Sequence, residues 1–316
     1  ALLNKVLGQE KVLGLHINNG FMRKNESAII EKRYKKAGFN NFIVEDASLS
    51  FLKAIEKVTD PQLKRKIVGE HYLTIRDKVT KKLSLDENSW LLAQGTLYPD
   101  IIESGESKNS HVIKTHHNRV EGIQALIAKK LIIEPLKDLY KDEVRAIGKE
   151  IGLADELINR HPFPGPGLSI NVLCTTGVLS SEEERERQRA MKKFDELDFD
   201  AFMKKEKIKK FEFTTRVLPV KSVGVYADKR TYRFPAILDI SSPSYKWEYI
   251  EKISSFITNS NSFVNRCIIC LWEKEHCSLQ EGYCTKEALD QLREVDAIVL
   301  EELKKEGWYK KIFQHL

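Results

Sequence analysis

Four short apolar runs, each followed by a helical pattern, fill the first half of the chain. That alternation restricts the possible folds more than any other feature. VLGLHI (12–17) is almost continuously apolar, as a strand buried on both faces of a parallel sheet must be. NNG ends it, and a helical pattern runs from Asn25 through Ile29, Ile30, Tyr34 and Ala37 to Gly38. FIVED (42–46) predicts a second strand, residues 48–84 a long helical stretch, SWLLAQG (89–95) a third strand and KLIIEP (130–135) a fourth. The next helix carries Val144, Ile147 and Ile151 on one face and ends at Gly152. Strands alternating with helices predict an α/β fold with a doubly wound parallel sheet.

HPFPGPG (161–167) places three prolines and two glycines in seven residues, so neither helix nor strand is expected there. It divides the chain into an expected first domain, 1–165, and a second, 166–316. The second half reads as α+β. A charged helix opens at Ser180, with Glu183 completing a capping box. RVLPVKSVGVYA (216–227) and RTYRFPAILDI (230–240) predict two strands around a turn at Asp228. YKWEYIEKISSFI predicts an amphipathic helix, FVNRCIICLW a strand, and EALDQLREVDAIVLEELKKEGW a final helix ending at Gly307.

With 316 residues, 41% hydrophobic and 31% charged, the chain can build a sizeable core. No apolar run approaches a membrane span. A net charge of +6 and a pI of 8.8 fit anionic ligands such as nucleotides, and the basic residues are too dispersed among acids for a nucleic-acid surface. The odd cysteine count, five, points to a reducing compartment, the cytosol. Four of the five (Cys267, Cys270, Cys277 and Cys284) follow a spacing that invites zinc, with His276 nearby. Cys267 and Cys270 fall in an apparent strand, however, where residues three apart face opposite sides. Buried free thiols are the better reading, and no zinc is expected.

Ligands of open α/β sheets sit beyond the carboxyl ends of the strands. In AQGTLYPDIIES (93–104), Gly95 lets backbone approach a phosphate, Thr96 can donate to it, and Asp100 and Glu103 are hard oxygen ligands suited to Mg²⁺. Lys137 and Lys141 are four apart, so a helix would set both on one face. Asp142 suits a helix N-terminus. By spacing alone, the ordinary reading is favoured for each: a strand-to-helix turn for the first stretch and a surface pair with a helix N-terminus for the second. IKTHHN (113–118) pairs His116 with His117, whose side chains diverge, so one metal would not take both. The polar stretch before it, 104–109, has the composition of a mobile lid.

Taken together, these segments resemble the GMP synthetases. LLAQGTLYPDIIES, HVIKTHHN, IIEPLKDLYKDEVRAIGKEIGL, HPFPGPGL, KRKIVG (64–69) and LPVKSVGV (218–225) match that family's patterns, and INNGFMRKNE (17–26) is similar to another. The resemblance covers nearly the whole chain. It implies the synthetase half: an ATP pyrophosphatase domain over 1–165 and part of a dimerisation domain over 166–316. The implied enzyme is a ligase using glutamine as amido donor. ATP adenylylates xanthosine monophosphate (XMP), and ammonia from a glutaminase domain then displaces AMP to give GMP.

The resemblance also implies residue roles. Glu103, Lys114, Thr115, His116, His117, Lys137, Asp138, Lys141 and Asp142 are the expected catalytic and lid residues. Arg65, Gln94, Gly95, Asp228 and Arg230 are expected to contact XMP, and Asn19, Gly20 and Thr96 to contact ATP. Asp100 and Glu103 are the expected Mg²⁺ ligands. A homodimer is expected, with no nucleic-acid or membrane partner. There are departures. The family's SGGVDS phosphate loop lies upstream of where Ala1 begins, and neither the glutaminase domain nor the KPP-x-T-x-EWE tail is in this sequence. Asn18 stands where relatives often have Asp, and Ala227 replaces a Gly. The expectation for this chain alone is therefore weak or absent activity. The alternatives are a related amidating enzyme of the NAD synthetase or tRNA-thiolating type, or a non-catalytic dimerisation fragment.

Overall fold

The computed structural model describes residues 1–86, 89–103, 121–161, 163, 165–226, 229–241, 245–270, 280–309 and 311. They divide into two compact units: Ala1–Val172 with Cys284–Leu316, and Leu173–Tyr283.

The first unit opens with helix α1 (Leu2–Leu7), strand β1 (Gly14–Asn18), α2 (Glu26–Lys36) and β2 (Phe42–Asp46). β1 and β2 pair in parallel, Gly14 opposite Phe42 through Asn18 opposite Asp46. The expected helical stretch over 48–84 is two helices, α3 (Ser48–Ala54) and α4 (Pro61–Lys82). The break has local causes. Lys57 takes a left-handed φ of 58°. Asp60 then restarts the helix by accepting the Leu63 N–H at 2.6 Å, with Pro61 in the first turn, where its missing N–H costs nothing. Next come β3 (Leu92–Ala93), α5 (Tyr98–Glu103), α6 (Glu121–Ala128), β4 (Ile132–Ile133), α7 (Lys141–Glu150) and α8 (Asp155–Ile158).

β3 and β4 pair in parallel over two residues each, far less than SWLLAQG and KLIIEP suggested. Parallel strands and alternating helices are as expected. Among the described residues, however, they form two separate two-stranded sheets, so a continuous doubly wound sheet is not what is seen. Phe21, Phe51, Ile55, Val68, Ile75 and Val79 are buried in this unit, with Phe21 edge-on to Phe51 at 6.1 Å between ring centres.

The second unit holds α9 (Ser181–Asp195), α10 (Phe199–Lys205), β5 (Phe213–Val217), β6 (Ser222–Tyr226), β7 (Lys229–Ile240), α11 (Trp247–Ser260) and β8 (Val264–Cys270). Ser180 and Glu183 make the expected reciprocal cap. The stretch read as one strand over 216–227 is two, β5 and β6, parted at Leu218–Lys221. The long β7 pairs antiparallel with β6 through its first residues and with β5 through its last, and parallel with β8. Phe234, Ala236 and Leu238 alternate onto one face of β7 and pack with Ile250, Ile253 and Ile257 of α11 and Ala190 and Phe194 of α9.

The last helix, α12 (Lys286–Lys305), belongs to the first unit, not to a domain continuous over 166–316. Its Arg293 donates to the carbonyls of Gly20 and Met22, and Lys24 pairs with Glu294 at 2.6 Å. Leu289 of α12 is buried. The second unit is therefore inserted between Val172 and Cys284. Near its two ends, Thr175 and Gly282 exchange both backbone hydrogen bonds at 2.9 Å. Replacing Leu173–Tyr283 by a short Gly/Ser linker is expected to leave the first unit folded. Urea denaturation followed by circular dichroism checks this, and loss of a cooperative transition would show that the units fold as one.

Candidate functional site

The turn after β1 is built from side-chain amides. Asn18 Oδ1 accepts the Gly20 N–H at 3.1 Å, and Asn19 Oδ1 accepts the Phe21 N–H at 2.9 Å. Asn19 is fully buried, and its amide donates to Tyr72 Oη at 2.7 Å and to the Gly165 carbonyl at 3.2 Å. The Phe21 carbonyl in turn accepts the Leu168 N–H at 2.7 Å. Asn19, expected at ATP, is thus fully engaged within the fold and presents no surface to a nucleotide. Burial pushes the Tyr72 phenol up to about 12, partly offset by the hydrogen bond from Asn19.

The loops that follow β3 and β4 lie side by side. Gln94 N–H donates to the Ile133 carbonyl at 3.0 Å, and Tyr98 N–H to the Leu139 carbonyl at 3.1 Å. Thr96, expected at phosphate, is buried and its hydroxyl donates a hydrogen bond to the Glu134 carboxylate. Gly95 is exposed, and a Cβ built there would meet nothing within 4 Å, so its backbone is open to close approach. Gln94 Oε1 is buried, with no hydrogen-bond partner among the described residues. Glu134 was not singled out from the sequence. The signal available was an acid directly after an apolar strand, the position that faces a neighbouring loop.

Lys137 sits in the turn before α7, which begins at Lys141, so the two lysines do not share a helix face as the spacing suggested. Lys137, Asp138 and Asp142 are exposed, and Asp142 pairs with Arg145 at 3.2 Å. The Lys141 ammonium is held below its usual range by burial and by the Arg145 charge, with Asp142 acting the other way. Glu143 accepts the Tyr140 N–H at 2.7 Å and caps α7. Arg65 lies on α4, half-buried, next to Lys64. The Lys64 ammonium is fully buried and donates to the carbonyls of Ser169 and Val172 at 3.2 and 3.1 Å.

Lys114, Thr115, His116, His117 and Asp228 lie outside the described residues. Arg230 is in β7, its backbone paired with Val225, in the other unit. Asp100 accepts the Leu97 N–H at 3.0 Å, closing the turn into α5. Glu103 ends that helix. Among the described residues no three His, Cys, Asp or Glu side chains gather to hold a metal, so these residues do not by themselves form a Mg²⁺ cage. Cys267 and Cys270 lie on β8, opposite Ala236 and Asp239 in the parallel register, and three residues apart on a strand they face opposite sides. Burial raises the Cys267 thiol, while Cys270 bonds to Asp239. His276 and Cys277 are outside the described residues.

No family model matches the chain. Over 320 residues it is 41% identical to a probable glutamine-hydrolysing GMP synthase of Leptospira interrogans, covering 99% of the chain and 49% of that protein. It is 34% identical over 364 residues to the glutamine-hydrolysing GMP synthase of Dictyostelium discoideum, covering 99% and 50%. The corresponding Helicobacter pylori enzyme is 38% identical over 292 residues, covering 86% and 54%. The chain spans about half the length of the curated relatives it matches. These relatives lend no support to the NAD synthetase or tRNA-thiolating alternatives.

Two tests follow from the turn after β1. Gly167 has φ 58°, and a Cβ there would lie 2.2 Å from the Phe21 carbonyl oxygen. Gly167→Ala is therefore expected to destabilise the first unit by roughly 1–3 kcal/mol, read by urea denaturation. The Tyr72 phenol holds its proton more tightly folded than at its ordinary value of 10. Its contribution to stability is then full below pH 10 and lost as pH rises from 10 to about 12. Tyr72→Phe should flatten the fall of stability across that window when denaturation midpoints are compared.

Proposed function

We propose that this chain, a relative of the glutamine-hydrolysing GMP synthases over nearly its whole length, carries the conversion of XMP to GMP. The C2 carbonyl oxygen of XMP attacks the α-phosphorus of ATP, and pyrophosphate leaves. Ammonia then adds at C2, the adenylyl group departs as AMP, and protons are released to solvent. Negative charge develops on the transferring phosphate, so fixed cations and backbone donors contribute most.

The observation that carries the reading is the side-by-side placement of the β3 and β4 loops. It brings open backbone at Gly95 together with the exposed Lys137 and the half-buried Lys141. In this reading the two lysines face the phosphates, and Gln94 and Gly95 face the reacting base. The expected lid, with Lys114, Thr115, His116 and His117, excludes water from the adenylylated intermediate. Mg²⁺ would accompany ATP, with Asp100 and Glu103 the residues that would help hold it, and would supply charge neutralisation on the phosphates. Ammonia comes from glutamine hydrolysis, as the relatives' name states for them. The reading also carries a homodimer and a cytosolic setting. No helix among the described residues is long and apolar enough to cross a membrane.

The test is XMP-dependent release of pyrophosphate from ATP, with GMP formed on adding ammonium, by the natural full-length polypeptide. Lys141→Met is expected to lower kcat by about 10²-fold or more. Failure of the unaltered protein to release pyrophosphate in an XMP-dependent way would refute the reading.

A further inference from the structure

Two exposed tyrosines meet where the β3 and β4 loops run together. Tyr98 opens α5 and is 37% exposed. Tyr140 immediately precedes α7 and is 54% exposed. Their ring centres are 5.3 Å apart with the planes at 70°, an edge-to-face contact that leaves much of each ring uncovered. Neither phenol makes a hydrogen bond within the described residues. Fastening the loops does not require this pair. The Tyr98 N–H already donates to the Leu139 carbonyl, and Thr96 to Glu134. Beside the pair lie two further features that suit a planar heterocycle. Gln94, four residues before Tyr98, has an amide oxygen with no hydrogen-bond partner among the described residues, and Gly95 has open space above its backbone. An aromatic face satisfies the ring of a base, and an unpaired amide reads its edge.

We infer that Tyr98 and Tyr140 form the stacking surface for a purine base, with the Gln94 amide reading that base's edge. The inference rests on the proposed function for its choice of ligands. Two purines are then in question, the adenine of ATP and the xanthine of XMP, and both offer a π-face and ring N–H or N groups.

The experiment is isothermal titration of the full chain with ATP, with XMP and with inorganic tripolyphosphate, which lacks a base. Tyr140→Ala, Tyr98→Ala and the conservative Tyr140→Phe are compared, with urea midpoints confirming that each is folded. Removing a stacking ring is expected to weaken one purine nucleotide by roughly tenfold, while Tyr140→Phe binds as the unaltered protein does. Tripolyphosphate binding is expected to be unchanged. The nucleotide that weakens, ATP or XMP, identifies which base stacks. If both alanine variants bind ATP and XMP as tightly as the unaltered protein, the inference is overturned, whether or not XMP-dependent pyrophosphate release is seen. Equal weakening for tripolyphosphate also overturns it, since the rings would then act on the loop and not on a base. Absence of XMP-dependent turnover alongside purine-selective weakening would remove the proposed function and leave the stacking surface standing.

Discussion

The carbonyl of Phe21 and the amide of Asn19 are the points on which the first unit depends. Around them meet segments far apart in the chain: the turn after β1, Tyr72 of α4, and Gly165 to Leu168. Each hydrogen bond contributes only about 1 kcal/mol net, but in a buried place an unmade one costs about 1–3 kcal/mol. Removing any one segment therefore strands polar groups on the others, which makes the cluster cooperative. Gly167 passes so close to the Phe21 carbonyl that no side chain fits between them. α12 extends the same cluster, since the planar guanidinium of Arg293 spans the Gly20 and Met22 carbonyls, a reach suited to its fork.

This arrangement separates holding from presenting. Near β1, Asn19 is spent internally, while Gly20 beside it is half-buried and lines a cleft with Asn18, Met22 and Arg23. The β3 and β4 loops have the opposite character. They are tied to each other by Thr96–Glu134 and Tyr98–Leu139, yet keep Gly95, Lys137, Asp138 and two tyrosine rings exposed. A site that must bind charged, planar ligands requires both properties, fixed backbone beneath and polar or aromatic surface above.

The elements legible from sequence were those defined locally. FIVED forms β2 with the bounds read from it, and the Ser180–Glu183 cap appears as written, because alternation and capping need only neighbouring residues. Where partners are distant, the sequence said less. Asn19 has the same chemistry whether it meets a nucleotide or Tyr72 and Gly165, which lie 53 and 146 residues away. Thr96 likewise reads as a phosphate donor until Glu134, 38 residues on, accepts its hydrogen bond. The final helix was evident from its apolar period, but nothing in that period says which unit it packs against. The break at Lys57 and the short β3–β4 pairing reflect tertiary context overriding a plausible pattern.

Lys64 extends the argument to motif residues in general. An ammonium in a fully buried position loses several kcal/mol of hydration, a cost met only by well-placed acceptors. The carbonyls of Ser169 and Val172 lie within hydrogen-bond reach of Lys64. The lysine that opens KRKIVG is thereby joined to the segment that follows HPFPGPG, so this motif residue serves a structural contact. A long motif marks a constraint without saying whether the constraint is chemical or architectural. Burial separates the two here, with Lys64 inside and its neighbour Arg65 half-exposed, so the polar surface left for ligands is narrower than the motifs that surround it.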